Sequence, residues 1–313
     1  MDELAGLLDG PRARGAFLLR GVMDPPWSIR IQDEAPLTLV TMMSGEAWHV
    51  PDAGDPRRLR PGDIAIMRGP DPYTFAADPA TPIQVIIHPG QRCATPAGAD
   101  LGQEMSLGVR TWGNSPHGAT TMLIGTYQMR GEIGQRLIAA LPPLVVLAGG
   151  SFDSPLVALL GEEIGKDEPG QEVVLDRLLD LLLVAALRAW FARPEADAPA
   201  WYRARTDPVT GRALRLLHHH PDHPWTVATL AAATGVSRAA LARRFADQVG
   251  EPPMTYLTGW RLTLAADLLR DPDTTIATVA RQVGYGSPFA LSTAFKRVRG
   301  SSPQQQRRGL TAR

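Results

Sequence analysis

Arg238, Arg243 and Arg244 share a short stretch with Leu241 and Phe245, and a second stretch sets Lys296 and Arg297 beside Leu291 and Phe295. Guanidinium and ammonium groups donate hydrogen bonds and accept none, which suits them to guanine edges or phosphate oxygens. Other chemically able residues make poorer patterns. His49, His88 and His117 lack the spacing of a paired-histidine metal site, so single satisfied histidines are the favoured reading over a site assembled in space. His218-His219-His220 with His223 resembles a chelating cluster, yet consecutive residues on a helix point in different directions, and a polar helix end is the simpler reading. Cys93 is the single cysteine, with no resolving partner; a small structural or surface thiol is favoured over a redox sensor. Glu162-Glu163 reads as a solvated helix surface. Neither a Gly-rich phosphate loop nor a Gly-x-Ser-x-Gly elbow is present, and no catalytic residue, metal ligand set or cofactor is expected.

The elements that must carry the basic residues occur twice. Val227, Leu230, Ala231 and Gly235 precede Leu241 and Phe245; forty-nine residues later Ile276, Val279, Ala280 and Gly284 precede Leu291 and Phe295. Each unit predicts helix, turn and helix, the glycine relaxing the turn and Ser237 or Ser287 opening the second helix. Between them Pro253 to about Arg270 predicts a rod of roughly 27 Å, long enough to hold two helices about one DNA turn apart. A preceding helix at about Pro208 to His218 offers Ala213, Leu214, Leu216 and Leu217 to the first unit.

Charge divides the 313-residue chain at the same place. The whole is neutral, but from Asp207 onward fourteen Arg and Lys face seven Asp and Glu, leaving +7 there and −7 on residues 1–206. Such an asymmetry fits one half meeting a polyanion. No apolar run reaches a membrane span, and Met1-Asp2-Glu3 lacks the basic start of a secretion signal, so a cytoplasmic location without membrane attachment is expected.

Residues 1 to about 130 predict short strands, among them Ser28–Ile31, Leu37–Thr41, Ile64–Met67 and Ile83–Ile87, with Arg60-Pro61-Gly62-Asp63 as a type II turn. Residues from about Glu132 to Phe191 read as helical. The helix from Val173 to Phe191 is apolar on nearly every side and needs two covers; the second is either the chain itself or a second subunit. Arg193 to Pro199 reads as a linker. The expected organisation is 1–195, a linker at 196–206, and 207–309.

From about Pro208 to Arg308 the chain closely resembles the DNA-binding domain of AraC-family bacterial transcription regulators. The matching residues include Trp225-Thr226-Val227, Ala231 to Gly235, Ser237 to Phe245, Gly250-Glu251-Pro252-Pro253, Trp260-Arg261-Leu262, Val283-Gly284-Tyr285, Ala294-Phe295-Lys296-Arg297 and Gly300 to Pro303. The resemblance implies recognition helices at Ser237–Val249 and Pro288–Val298. It brings Arg238, Ala239, Ala242, Arg243 and Arg244 of the first, and Phe289, Ala290, Thr293, Lys296 and Arg297 of the second, to double-stranded DNA. Thr293 stands where the family often has arginine, and Pro288-Phe289 where it has small or polar residues; Phe and Ala touch only apolar features such as thymine methyls. Gln306 replaces a usual tyrosine.

The N-terminal half resembles, less densely, the cupin-type sensor domain of some of these regulators, through Pro61-Gly62-Asp63 and Leu187-Arg188-Ala189-Trp190. Tyr73 stands where a cupin commonly has histidine. The fold class implied is α+β: a cupin-like β-barrel with a helical tail, then an all-α double helix-turn-helix domain. The implied function is sequence-specific transcription regulation, controlled by a small-molecule effector or a partner acting on the barrel, with a homodimer through the 173–191 helix as one assembly it allows. Two alternatives stay open: a metal-dependent cupin enzyme with a DNA-binding tail, and an effector-independent regulator whose barrel only dimerises.

Overall fold

The computed structural model describes residues 17–127, 131–152, 154–194, 196 and 198–311; Met1-Asp2-Glu3 lies outside them. Two compact units emerge, one from the described residues of 11–129 and 141–196, the other from those of 130–140 and 197–313.

The first unit is mainly sheet. Its strands are β1 (Phe17–Met23), β2 (Ser28–Ile31), β3 (Leu37–Ser44), β4 (Ala47–Pro51), β5 (Arg57–Leu59), β6 (Ile64–Arg68), β7 (Tyr73–Ala76), β8 (Val85–His88), β9 (Arg92–Ala94), β10 (Ser106–Gly108), β11 (Thr111–Gly113), β12 (Thr120–Tyr127) and β13 (Leu144–Leu147). One sheet runs β10-β11-β1-β12-β3-β6-β13 and the other β5-β4-β7-β2-β8-β9. Between them lies one core, with Val40, Met42, Met67 and Met122 from the first sheet and Ile29, Phe75 and Ile87 from the second. The expected cupin-type barrel is thus realised as two facing sheets. The predicted turn before β6 forms, with Gly62 at φ +87° and the Asp63 amide donating to the Arg60 carbonyl at 3.0 Å.

Sheet residues facing away from the core are covered as well. After α1 (Glu132–Ala139) and α2 (Pro155–Glu163), helix α3 (Gln171–Phe191) packs against β12, where the Tyr127 hydroxyl donates to the Leu179 carbonyl at 2.9 Å. Gly125 permits this approach: a Cβ there would come within 2.8 Å of a Leu179 methyl. Leu179, Leu182, Leu183 and Leu187 are buried within the chain, whereas Val173, Val174 and Leu181 stay 62%, 45% and 54% exposed. One expectation is corrected here. Within the region read as helical, Leu144–Leu147 is strand β13, antiparallel to β6. Pro142-Pro143 ends the helical run, and the branched side chains that follow bury Val145 and Leu147 completely.

The second unit is helical, adding to α1 the helices α4 (Ala200–Ala204), α5 (Thr210–His219), α6 (Val227–Thr234), α7 (Arg238–Val249), α8 (Pro253–Leu268), α9 (Ile276–Gln282), α10 (Pro288–Arg299) and α11 (Pro303–Thr311). The stretch read as a linker contains α4, with Tyr202 and Ala204 buried. Two small cores form. Leu230, Leu241 and Phe245 pack with α5 in one, Val279, Leu291 and Phe295 in the other, and α8 serves both, giving Tyr256 and Leu257 to the first and Leu262 and Ala265 to the second. Its 16 residues make a rod of roughly 24 Å. Helix α1 is held on this rod: the Asp267 carboxylate accepts from the Glu132 and Ile133 amides at 2.6 and 3.1 Å, and Ile133 packs on Trp260.

Candidate nucleic-acid interface

The same local chemistry builds both helix-turn-helix units. Thr226 and Thr275 cap the first helices through the amides of Thr229 and Thr278; Ser237 and Ser287 cap the second through those of Ala240 and Ala290. Each turn contains a left-handed glycine, Gly235 at φ +76° and Gly284 at +81°. The second turn is one residue longer, Gly284-Tyr285-Gly286-Ser287 against Gly235-Val236-Ser237. Counted from the capping serines, α7 and α10 are therefore in strict register, Ala239 matching Phe289 and Arg243 matching Thr293.

That register separates buried from exposed faces. Leu241 and Phe245 of α7 are fully buried, as are Leu291 and Phe295 of α10. Arg238, Ala239, Arg243 and Arg244 lie exposed on α7 and Ala242 is half-buried. On α10, Phe289, Ala290, Thr293, Lys296 and Arg297 are all exposed, Phe289 to 81%. The structure thus puts the residues expected at DNA on the outward side of the two second helices.

Their charges are not equally available. Arg244 is engaged within the unit, its Nη2 and Nε lying 2.5 and 2.9 Å from one Asp207 oxygen, which also accepts from Gln248 at 2.9 Å. The other Asp207 oxygen accepts from the Val209 and Thr210 amides. Burial alone would raise the Asp207 carboxyl, but these hydrogen bonds prevail and hold it far below the usual carboxylate range. Among the described residues Arg238 and Arg243 have no ion-pair partner. Asp207 was missed by sequence reasoning, since thirty-seven residues separate it from Arg244 and no local motif joins them. So was Glu132, which pairs with Arg299 of α10 at 2.5 Å and accepts from Gln306 at 3.3 Å.

The histidine run diverges as expected of a helix. His218 is turned inward, its Nε2 2.7 Å from the Tyr256 hydroxyl and its ring 4.5 Å from that of Trp260, while His219 and His220 are exposed. Burial, helped by the nearby charge of Arg136, lowers the pKa of His218 to about 3. In the sheet unit His49 is buried against Tyr73 and Phe75, and burial lowers its pKa to about 4. His88 lies 3.2 Å from the Gln32 amide nitrogen, and His117 is exposed in a turn. Among the described residues no three His, Cys, Asp or Glu side chains are grouped to hold a metal, and no helix is long and apolar enough to cross a membrane.

A cavity of about 180 Å³ opens between the two sheets, walled by Ile29, Val40, Phe75, Trp112, Met122 and Ile124. Asp33, Gln91, Cys93 and Tyr73 add polar atoms to its lining, with Gln91 donating to Asp33 at 3.0 Å. Burial, reinforced by Asp100, raises the Cys93 thiol above its ordinary pKa, so it is held protonated rather than activated.

Two capped helix-turn-helix units on a shared rod, with free arginines facing outward, define a two-headed DNA-binding module attached to a cupin-type sheet unit. Residues 2–192 match the family model Cupin, and residues 230–309 match the model Helix-turn-helix domain. Along its length the chain is 30% identical to a putative AraC-like transcription regulator of Streptomyces lividans, covering 99% of each protein, and 30% identical to one of Streptomyces antibioticus, covering 98% of this chain and 99% of the relative. It is 32% identical to the HTH-type transcriptional regulator AlkR of Acinetobacter baylyi over 56% of this chain and 59% of that protein. The chain belongs to the AraC-like family of bacterial DNA-binding transcription regulators.

Proposed function

We propose that this regulator reads a bipartite DNA site with α7 and α10 and adjusts its binding to a small, largely apolar molecule held between the two sheets. The observation that carries the effector half is the cavity itself, an apolar chamber with a few polar atoms, which is how small-molecule sites are commonly built. The bound molecule would act by favouring one arrangement of the chain over another. Strand β12 supplies Met122, Ile124 and Thr126 to the cavity wall, and the chain runs from β12 directly into the segment carrying α1, so occupancy has a covalent route toward the DNA-reading helices. Full-length relatives bearing regulator names support a regulatory rather than a catalytic role for the sheet unit. A cytoplasmic location fits a bacterial regulator that binds double-stranded DNA.

The exposed apolar stripe of α3, with Val174 and Leu181, supports the homodimer. The effector reading is tested by screening small apolar compounds against the full chain for a rise in Tm, then repeating with Val40→Trp, which fills the chamber. Compounds that stabilise the wild type and not Val40→Trp, with DNA binding retained in both, are expected. Stabilisation equal in both proteins would remove the cavity as the effector site.

A further inference from the structure

Phe289 is 81% exposed, an unusual position for a large ring on a helix whose opposite face is fully packed. Its place is fixed by the capping serine: it occupies in α10 the position that Ala239 occupies in α7, and Thr293 the position of Arg243. Phe289, Thr293 and Arg297 follow one another at intervals of four along the outward face, so an apolar tip leads to a basic foot. In α7 the charge runs from basic to acidic: Arg238 stands at the tip, Arg243 midway at the position of Thr293, and Asp247 at the position of Arg297. Helix α10 itself contains no acidic residue to repel a phosphate.

In the major groove one feature of a base pair is apolar, the 5-methyl group of thymine, and phenylalanine is among the side chains that contact it. We propose that Phe289 is a specificity-determining residue that packs on a thymine methyl, making the two heads read unlike chemistry: guanine acceptors under α7 and a methyl group under α10. Lys296 and Arg297 at the far end would then bind the flanking phosphates and hold the ring over the base edge. This deepens the bipartite DNA reading of the preceding subsection and depends on it. The cognate site is consequently asymmetric, its arginine-read and methyl-read positions about one helical turn apart.

The experiment uses the full chain. A preferred duplex is selected from a random pool, and each thymine is then replaced singly by uracil, which deletes only the methyl. Wild type should lose roughly fourfold in affinity at one or two thymines, the value of one apolar methyl group. Those thymines should lie about a turn away from the positions whose preference is lost in Arg243→Ala. Phe289→Ala should lose a similar factor on the thymine duplex and become indifferent to uracil, whereas Phe289→Leu should keep the methyl sensitivity. Uracil tolerated everywhere by a wild type that still selects its sequence would overturn this inference alone, as would undiminished uracil sensitivity in Phe289→Ala. A chain that selects no sequence would overturn the bipartite reading as well.

Discussion

The Arg244 guanidinium rests 2.5 Å from the carboxylate of Asp207 and lies one residue from Arg243, whose charge meets no acid among the described residues. Two adjacent arginines of α7 thus differ in how far their charge is available. Arg243→Ala should weaken specific binding by about 1–3 kcal/mol, and Arg244→Ala by less, because its charge is already partly compensated. Asp207→Ala should instead destabilise the helical unit by about 2 kcal/mol, since it leaves the Val209 and Thr210 amides without their acceptor. Anisotropy titrations and urea unfolding separate the two effects, and equal affinity losses from both arginines would show that the Asp207 pair opens on DNA.

His218 makes the helical unit sensitive to mild acid. Its folded pKa of about 3 lies below the ordinary value near 6.5, so the unfolded chain binds the proton more readily. Its contribution to stability is complete above about pH 6.5 and is lost as pH falls toward 3. From pH 6.5 to 5.5 the loss should be about 1 kcal/mol. Hydrogen exchange at α8 should record it, with a clearly smaller pH dependence in His218→Phe. An unchanged dependence would place the titrating group elsewhere.

Asp267 holds the first turn of α1 through two amides, although burial raises its own pKa. Asp267→Ala should release that turn and increase hydrogen exchange in residues 132–139 by roughly tenfold, equivalent to about 1.4 kcal/mol, with Asp267→Asn intermediate. Exchange in α10 should change less, because its core residues Leu291 and Phe295 do not depend on Asp267. Protection kept in Asp267→Ala would show that Ile133 against Trp260 suffices.

The exposed and buried faces of α3 give the dimer a clean test. Leu181→Asp should leave a folded monomer, since the side chain is 54% exposed, whereas Leu182→Asp should unfold the sheet unit by burying an unpaired charge. Light scattering together with circular dichroism distinguishes them. Wild type that stays monomeric at high concentration would remove the dimer.

The helical unit was far more legible in the sequence than its surroundings, and the reason is distance along the chain. Ser237, Gly235, Leu241 and Phe245 act within one or two helical turns of each other, so spacing alone revealed caps, turn and buried face. Strands β2, β3 and β6 were likewise readable as short runs set off by Pro, Gly and Asp clusters, among them the turn at Gly62. Strand β13 was taken for helix because its stability comes from pairing with β6, about eighty residues earlier, rather than from its own pattern. The grip of Asp267 on α1 and of Asp207 on Arg244 was invisible for the same reason. The apolar excess of α3 signalled two covers, but only packing against Gly125 and Tyr127 told which leucines face the sheet.

The central claim, that this chain binds DNA through α7 and α10, is tested most directly by measuring affinity for its selected duplex over a range of salt concentrations. For the full chain, log Kd should rise linearly and steeply with log salt, as phosphate contacts displace counterions. Replacing Arg238 and Arg243 together by alanine should abolish the preference for the selected duplex, while Lys296→Ala should weaken selected and scrambled DNA alike and reduce the salt slope by about 1. Affinity independent of salt, or sequence preference intact without Arg238 and Arg243, would contradict the account.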